Sequence, residues 1–178
     1  MESSQGILSL SCKYTDSSRR SVEMHHPYVW EECLEALEKT PHALQRLAEL
    51  VPAERWIHRP SADRYSPVEL LYHLAEVEEA YFQRYRLIAE QEHPQLTAYD
   101  PHDALSEGRF VGGSLREGIA RFTEVRTRSL EYLRNLPAEA RDRTGVHPEF
   151  GEWSIFQQVQ LCVAHDLLHL CDVLLRSQ

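Results

Sequence analysis

Apolar residues recur three and four positions apart in four stretches of this chain, which is the spacing of one face of an α-helix. The stretches cover about 29–50, 66–92, 114–136 and 154–176 of the 178 residues. A proline follows each of the first three, as expected where a helix ends. No alternating pattern strong enough to predict a strand competes with them. The sequence therefore predicts an all-α fold, a four-helix bundle.

Two of the predicted helices begin with recognisable capping residues. Ser66 and Pro67 open the second helix, and Glu69 stands three residues after the serine, as in a capping box. Ser114 and Glu117 repeat the serine–glutamate spacing at the start of the third helix. In both cases the serine hydroxyl can accept a hydrogen bond from a backbone N–H that has no partner within the helix.

The regions outside the helices divide into a polar N-terminus and two long loops. Residues 1–27 hold few apolar side chains, so they are predicted to be a disordered tail, and the bundle domain is predicted to span 28–178. The connections at 93–113, between helices two and three, and at 137–153, between helices three and four, are long for a small bundle. Such loops often wall a pocket, and that is their expected role here.

Charge and composition narrow the classes of partner. The chain has 19 lysines and arginines against 28 aspartates and glutamates, a formal net charge of −9. This charge repels phosphate backbones and anionic lipid headgroups, so neither nucleic acid nor a membrane is an expected partner. The apolar segment 155–175 is interrupted by two histidines and two aspartates, which argues against a membrane span. A small-molecule substrate is expected, and a homodimer is left open.

The four cysteines predict a reducing environment. Cys12, Cys33, Cys162 and Cys171 form no CxxC pair and are too few for a disulfide-stabilised small domain. The N-terminal residues also lack the basic and apolar regions of a secretory signal. Both features predict a cytoplasmic protein with free thiols. Cys162 and Cys171 are expected to be buried among apolar residues rather than to act as nucleophiles.

The most informative segment is an HxxxH pair in the fourth helix, His165 and His169. Four residues turn a helix by about 400°, so the two imidazoles lie about 40° apart on one face and can point at one cation. Alone, the pair is weak evidence of a metal site, because surface histidines often share this spacing. Gln158 and Asp172 extend it into a polar seam on a helix that is expected to be buried on all sides. Such a seam needs partners, which favours a bound ion.

His73 is the candidate third ligand. It lies on the second helix at the edge of an apolar stripe, within about 40° of Val77, and is expected to face the core. In isolation, a core histidine that donates to a backbone carbonyl would explain it. Three inward histidines in one acidic bundle are explained more simply by one metal ion. Three protein ligands leave a fourth position for water or substrate.

Four parts of the sequence resemble the DinB-like superfamily, also called YfiT-like, of metal-binding four-helix bundles. They are Tyr-Ser-Pro-Val-Glu-Leu-Leu-Tyr-His-Leu-Ala-Glu-Val-Glu at 65–78, Arg126, Gly-Val-His-Pro-Glu-Phe-Gly-Glu-Trp-Ser at 145–154 and the HxxxH pair. The resemblance covers about 30–175. It implies that the metal ligands are the histidine of the second helix and the two histidines of the fourth.

This ligand set maps onto His73, His165 and His169, and all three are present. The chain has Tyr65 before Ser66, where the family motif usually has a tryptophan, and this change does not touch the ligands. The resemblance therefore implies a mononuclear site for a divalent ion. Zn, Ni and Fe are the candidate ions, since three imidazoles accept each of them.

The resemblance defines the metal site more narrowly than it defines the reaction. Relatives include S-transferases and an isomerase that use a low-molecular-weight thiol, and a bound divalent ion would lower the pKa of a bound thiol or water. The prediction is a metal-dependent enzyme acting on a small molecule, either a thiol S-transferase, with that thiol as cosubstrate, or a hydrolase. The alternative is a non-catalytic bundle in which the ion has a structural or sensing role.

Arg126 and His147 are the candidate catalytic residues, expected to orient a substrate or to transfer a proton. For Arg126 the alternative is an ion pair with Asp166, and for His147 the favoured alternative is a solvent-facing position in its loop. Asp172 and Glu76 are candidates for holding the imidazoles through hydrogen bonds, although Glu76 is as easily solvated. In the non-catalytic alternative, Asp172 would fill the fourth position on the ion.

Overall fold

Four long α-helices make up most of the computed structural model, which describes residues 29–176. Together with two short helices they are, in chain order, α1 Val29–Leu50, α2 Ala53–Trp56, α3 Pro67–Glu90, α4 Pro101–Ser106, α5 Leu115–Arg134 and α6 Ile155–Arg176. A 3-10 turn at Ala138–Ala140 precedes two short strands, β1 Thr144–His147 and β2 Gly151–Ser154. The predicted four-helix bundle is confirmed, and the hairpin was not predicted. The tail predicted over 1–27 lies outside the described residues.

Helices α3 and α5 begin at the predicted capping residues. Ser66 Oγ accepts a hydrogen bond from the backbone N of Glu69 (3.3 Å), and the backbone N of Ser66 donates to Glu69 Oε2 (2.8 Å), which completes the capping box. Ser114 Oγ accepts from the backbone N of Glu117 (3.2 Å) at the start of α5. The capping box fixes the start of α3, and His73 lies one turn after Glu69.

The four long helices pack in a ring whose order differs from their order along the chain. Helix α3 packs against α5 and α6, and α1 packs against the same two helices. Helix α1 therefore lies diagonally across the bundle from α3. Gly118 allows α5 to approach α3 closely, because a Cβ there would lie 2.9 Å from Leu71 Cβ. The contact between α3 and α6 brings the predicted metal ligands together.

Two clusters of buried apolar residues form the core, and each takes side chains from all four long helices. The first includes Leu37, Tyr85, Leu133 and Ile155. The second includes Leu44, Leu71, Phe122 and Val173. Followed from N- to C-terminus, α1 and α6 run from the first cluster to the second, and α3 and α5 run the other way. The neighbours α3 and α5 are therefore parallel, so their connection must return along the bundle, which explains its length.

The hairpin ties the two long loops to each other. Strand β1 pairs antiparallel with β2, with Gly145 opposite Trp153. The backbone N of Leu96 donates to the Val146 carbonyl oxygen (2.9 Å), and the backbone N of Val146 donates to the Pro94 carbonyl oxygen (2.8 Å). These bonds hold the start of the α3–α5 connection against β1. Both loops are thereby placed beside the groove between α3 and α6.

Helix α6 is not buried on all sides, so that expectation was wrong. Four leucines are 46–71% exposed on its outer face, namely Leu167, Leu168, Leu174 and Leu175, and Leu161, which is 42% exposed, lines the groove between α3 and α6. By length and mean hydropathy (1.2) alone Ile155–Leu175 could cross a membrane, and one such helix is weak evidence of a span. Its inner face, with Val159 and Cys162, packs in the core. The apolar character of a segment does not show which of its faces have a neighbour.

Arg126 joins all four long helices through one buried guanidinium group. Its Nη1 donates to Asp166 Oδ2 of α6 (2.7 Å) and to the Leu37 carbonyl oxygen of α1 (2.9 Å), and its Nη2 donates to Glu78 Oε2 of α3 (2.8 Å). The three charged side chains are only 1–2% exposed. Burial alone would lower the pKa of Arg126, but the carboxylates of Glu78 and Asp166 outweigh burial and raise that pKa.

Replacing Arg126 by methionine should lower the free energy of unfolding by about 3–5 kcal/mol, because Glu78 and Asp166 would stay buried without a counter-charge. Arg128→Met is the matched control. Arg128 pairs with Glu79 at the surface, where its side chain is 48% exposed, so the loss should be about 1 kcal/mol or less. Urea denaturation measures both variants. Equally small losses would contradict the structural role of Arg126.

Candidate metal centre

The three predicted ligands meet where α3 packs against α6. His165 and His169 lie one turn apart on α6, with ring centroids separated by 4.4 Å. The ring centroid of His73, on α3, lies 5.2 Å from that of His165 and 5.0 Å from that of His169. Each residue offers one ligand nitrogen, and these nitrogens all lie within 4.8 Å of one another.

The spacing of the nitrogens fits a single ion. Nε2 of His165 lies 3.2 Å from Nε2 of His73 and 3.1 Å from Nε2 of His169. Two nitrogens that each lie 2.0–2.1 Å from a tetrahedral zinc ion are separated by about 3.3–3.4 Å. Imidazole is a preferred ligand of Zn, Ni and Fe. The residues present therefore fit a divalent transition metal in both donor chemistry and spacing.

Burial keeps two of the three imidazoles, those of His73 and His165, in the form that binds metal. Burial, with smaller contributions from the neighbouring His169 and His165, lowers the pKa of His73 to about 3. Burial likewise lowers the pKa of His165 to about 4, with smaller contributions from His169 and Arg126. Both rings are therefore neutral at pH 7, and their lone pairs are available to a cation.

Neighbouring side chains hold two of the rings in place. Asp172 Oδ2 lies 3.3 Å from His169 Nδ1, which leaves Nε2 of that ring directed at the other histidines. His73 is packed against two tyrosine rings, stacked on Tyr65 at 5.3 Å and tilted against Tyr99 at 6.1 Å between centroids. Its Nδ1 has no hydrogen-bond partner among the described residues. Hydrogen bonding thus orients His169, whereas packing orients His73.

Glu76 does not contact an imidazole. It accepts hydrogen bonds from the Tyr99 hydroxyl (3.3 Å) and from Arg109 Nη1 (3.1 Å). Tyr99 in turn packs against His73, so Glu76 acts on the site only through that tyrosine. The tyrosine was missed in the sequence because it lies in the long α3–α5 connection, where no periodicity indicates which side chains turn inward.

A cavity of about 650 Å³ opens beside the three histidines. Its walls come from α3, from the segment 63–65 before it, from α6 and from both long loops, as predicted for the loops. Aromatic side chains form much of this surface, namely those of Tyr65, Tyr81, Tyr99, Phe150 and Trp153. The cavity follows the groove between α3 and α6, which run antiparallel. It is therefore elongated, with the histidines towards the second core cluster.

His147 lies in the cavity wall and not in solvent, so the favoured sequence-based alternative was wrong. Its side chain is 3% exposed and stacks on Phe150 at 4.7 Å between ring centroids. Strand β1 turns it inward, and its Nδ1 accepts a hydrogen bond from the backbone N of Glu149 (3.2 Å). Burial lowers its pKa, and the nearby Arg84 lowers it further. The neutral ring therefore carries its proton on Nε2.

Arg126 does not reach the cavity, in contrast to the expectation that it orients a substrate. Both of its terminal nitrogens are used within the bundle, and the pairing with Asp166 was the alternative that the sequence offered. Cys162 is buried as predicted, and its Sγ lies 3.2 Å from Glu78 Oε2. The expectation that Cys171 is buried was wrong, because Cys171 lies on the outer face of α6 and is exposed.

The chain matches the DinB superfamily over residues 36–172. It belongs to that superfamily. Among solved structures, this DinB protein is similar to YfiT from Bacillus subtilis, which is described as a probable metal-dependent hydrolase with an unusual four-helix bundle topology. The two share 20% sequence identity, the match covers 91% of each chain, and the TM-score is 0.76.

A second similar structure is that of TT2238, described as a four-helix bundle protein. The TM-score is 0.61 at 21% identity, over 82% of this chain and 98% of the other. Both likenesses establish the bundle fold of this DinB protein. No match was found among curated protein sequences.

The purified DinB protein should bind about one divalent ion per chain, and His165→Ala should remove most of it, since two remaining ligands bind weakly. His58→Ala is the control, because His58 is exposed and lies outside the cluster. Elemental analysis after zinc loading and gel filtration measures the content. Equal zinc in the wild type and in the His165→Ala variant would contradict the site.

Proposed function

We propose that this protein is a metal-dependent hydrolase of small molecules, with one divalent ion held by His73, His165 and His169. The observation that carries the proposal is the position of the three imidazoles, which present their Nε2 atoms to each other at the wall of a large cavity. Three protein ligands leave a further coordination position, which is the arrangement of catalytic rather than structural sites. The description of YfiT as a probable metal-dependent hydrolase supports the same activity.

The contribution of the ion is to lower the pKa of a bound water or thiol so that a nucleophile is available near neutral pH. The protein's own side chains position the metal ligands and exclude water from the cavity. The carboxylate of Asp172 holds His169 in the orientation that binds the ion, and the Tyr65 and Tyr99 rings hold His73. The aromatic walls cover an apolar substrate and strengthen electrostatic interactions within the cavity.

His147 is the proposed hydrogen-bond donor to the substrate. The bond that its Nδ1 accepts from Glu149 leaves the proton of the neutral ring on Nε2. In this tautomer Nε2 can donate a hydrogen bond to a bound substrate, and Nε2 cannot accept a proton. This assigns His147 the role of a hydrogen-bond donor that positions the substrate.

The same site would serve a thiol S-transferase, because a metal-bound thiol would be activated by the same lowering of its pKa. Hydrolysis is the preferred proposal because the description of YfiT supports it. A structural or sensing role is disfavoured by the position of Asp172, which lies against Nδ1 of His169, the nitrogen that does not face the other two imidazoles.

The zinc-loaded, nickel-loaded and iron-loaded proteins should be assayed against a panel of esters, amides and phosphoesters, each with and without low-molecular-weight thiols. We expect hydrolysis without thiol, lost in His165→Ala and retained in His58→Ala. His147→Phe should lower kcat by about 100-fold, since it removes the donor. Mass spectrometry identifies the products.

Other outcomes of this assay discriminate between the alternatives. Thiol conjugates formed without hydrolysis products would show a transferase instead. No product with any of the three metals, together with a melting temperature that falls sharply on chelation, would favour a structural role, since an ion bound only to the folded state stabilises it.

A further inference from the structure

Arg84 lies at the opposite end of the cavity from the metal ligands. It follows His73 by eleven residues on α3, which places the two Cα atoms about 16 Å apart along the helix axis and within about 20° of the same face. Both side chains line the same cavity. A molecule lying along the groove would therefore meet the histidines with one part and Arg84 with another.

Arg84 is a buried cation without a carboxylate partner. The residue is only 8% exposed, yet among the residues that the structure describes no carboxylate oxygen lies within 4.0 Å of its guanidinium nitrogens. The other deeply buried arginine, Arg126, contacts two carboxylates. Arginine remains charged in proteins, and a buried charge is costly unless it is paired. Arg84 is thus a buried cation that lacks an anionic partner among the described residues.

The protein provides hydrogen-bond acceptors for only part of the Arg84 guanidinium group. Nε and Nη2 both donate to the carbonyl oxygen of Thr97, at 3.2 and 2.7 Å. The group also lies 5.5 Å from the centre of the Tyr81 ring and 5.8 Å from that of Trp153. These contacts fix its plane, and the two N–H bonds of Nη1 and one of Nη2 have no acceptor among the described residues. A fixed planar fork of donors matches a carboxylate.

Apart from the proposed metal ion, the other charged groups at the cavity do not favour a second anionic group on the ligand. Asp63, Arg64 and Glu149 also line it, and all three are exposed at its mouth, while Asp172 is engaged with His169. A second anionic group near the mouth would meet two acidic side chains against one basic side chain. Between the mouth and Arg84 the walls are mostly aromatic and apolar, which suits an apolar body.

We propose that the cavity binds small organic monocarboxylates, with the carboxylate on Arg84 and an apolar body along the groove towards the three histidines. The inference names the substrate class of the proposed hydrolase and to that extent rests on the proposed function. The juxtaposition that carries it is an unpaired, buried guanidinium group in the wall of the cavity that also holds the histidine cluster.

The test compares acids with their neutral amides as ligands of the zinc-loaded protein. The probes are benzoate, phenylacetate, 3-phenylpropionate and 4-phenylbutyrate, each with the corresponding amide, and calorimetry measures the dissociation constants. In the wild type at least one acid should bind roughly tenfold or more tightly than its amide, as expected for hydrogen bonds to a charged partner. Arg84→Met should remove this preference. Arg64→Met, at the mouth of the same cavity, should keep it.

Two results would overturn the proposal. Equal affinities for acid and amide in the wild type would show that no cation in the cavity recognises a carboxylate. A preference retained in Arg84→Met would place the carboxylate elsewhere, for example on the zinc ion. If circular dichroism shows that Arg84→Met does not fold, the same affinities are measured on the Arg84→Lys variant instead. A several-fold loss of acid affinity with unchanged amide affinity would support the guanidinium fork, and unchanged affinity for both would overturn it.

This measurement is independent of turnover. If no substrate is hydrolysed but the acid preference depends on Arg84, the hydrolase proposal fails and the binding inference stands. If hydrolysis occurs and the wild type shows no preference for acids, the hydrolase proposal stands and the binding inference fails.

Discussion

The guanidinium group of Arg126 holds the bundle together at one point. It contacts Asp166 on α6, Glu78 on α3 and the Leu37 carbonyl oxygen on α1, and it is carried by α5. Buried charges are stabilising only when each has its partners, so this cluster forms only with all four helices in place. Asp166 directly follows His165 on α6, about 100° further round the helix. The cluster therefore sets the rotation of α6 that directs His165 at His73.

Two buried arginines have opposite roles because they have different neighbours. Arg126 is neutralised by two carboxylates and is structural, whereas Arg84 contacts a backbone carbonyl and two aromatic rings. At the other end of the cavity, burial keeps His73 and His165 uncharged. An acidic chain of net charge −9 thus contains a cavity with one buried arginine, Arg84, and a histidine cluster that can bind a metal cation. The proposed function and substrate class both follow from this distribution.

Local rules explain why much of the fold and the metal ligands could be predicted. The caps at Ser66 and Ser114 and the helical spacing of apolar residues depend on near neighbours along the chain. The position of His165 and His169 on one face follows from helix geometry alone. The third ligand, His73, required the additional assumption that its face and theirs turn towards the same core.

The features that could not be predicted depend on contacts between distant segments. The hairpin is held against Pro94 and Leu96, some fifty residues earlier, and this contact turns His147 into the cavity. The exposed outer face of α6 could not be recognised from its leucines, because apolar composition does not reveal a missing neighbour. Arg84 could have been found, since it shares the face of His73, but only the structure shows that no carboxylate accompanies it.

The most direct test of the metal centre is the structure of the zinc-loaded protein, with anomalous scattering recorded at the zinc absorption edge. The account predicts one strong anomalous peak bonded to Nε2 of His73, His165 and His169, with the remaining coordination position facing the cavity and Asp172 retained against Nδ1 of His169. A peak elsewhere in the chain, or a carboxylate of Asp172 bonded to the ion and closing the coordination sphere, would contradict it.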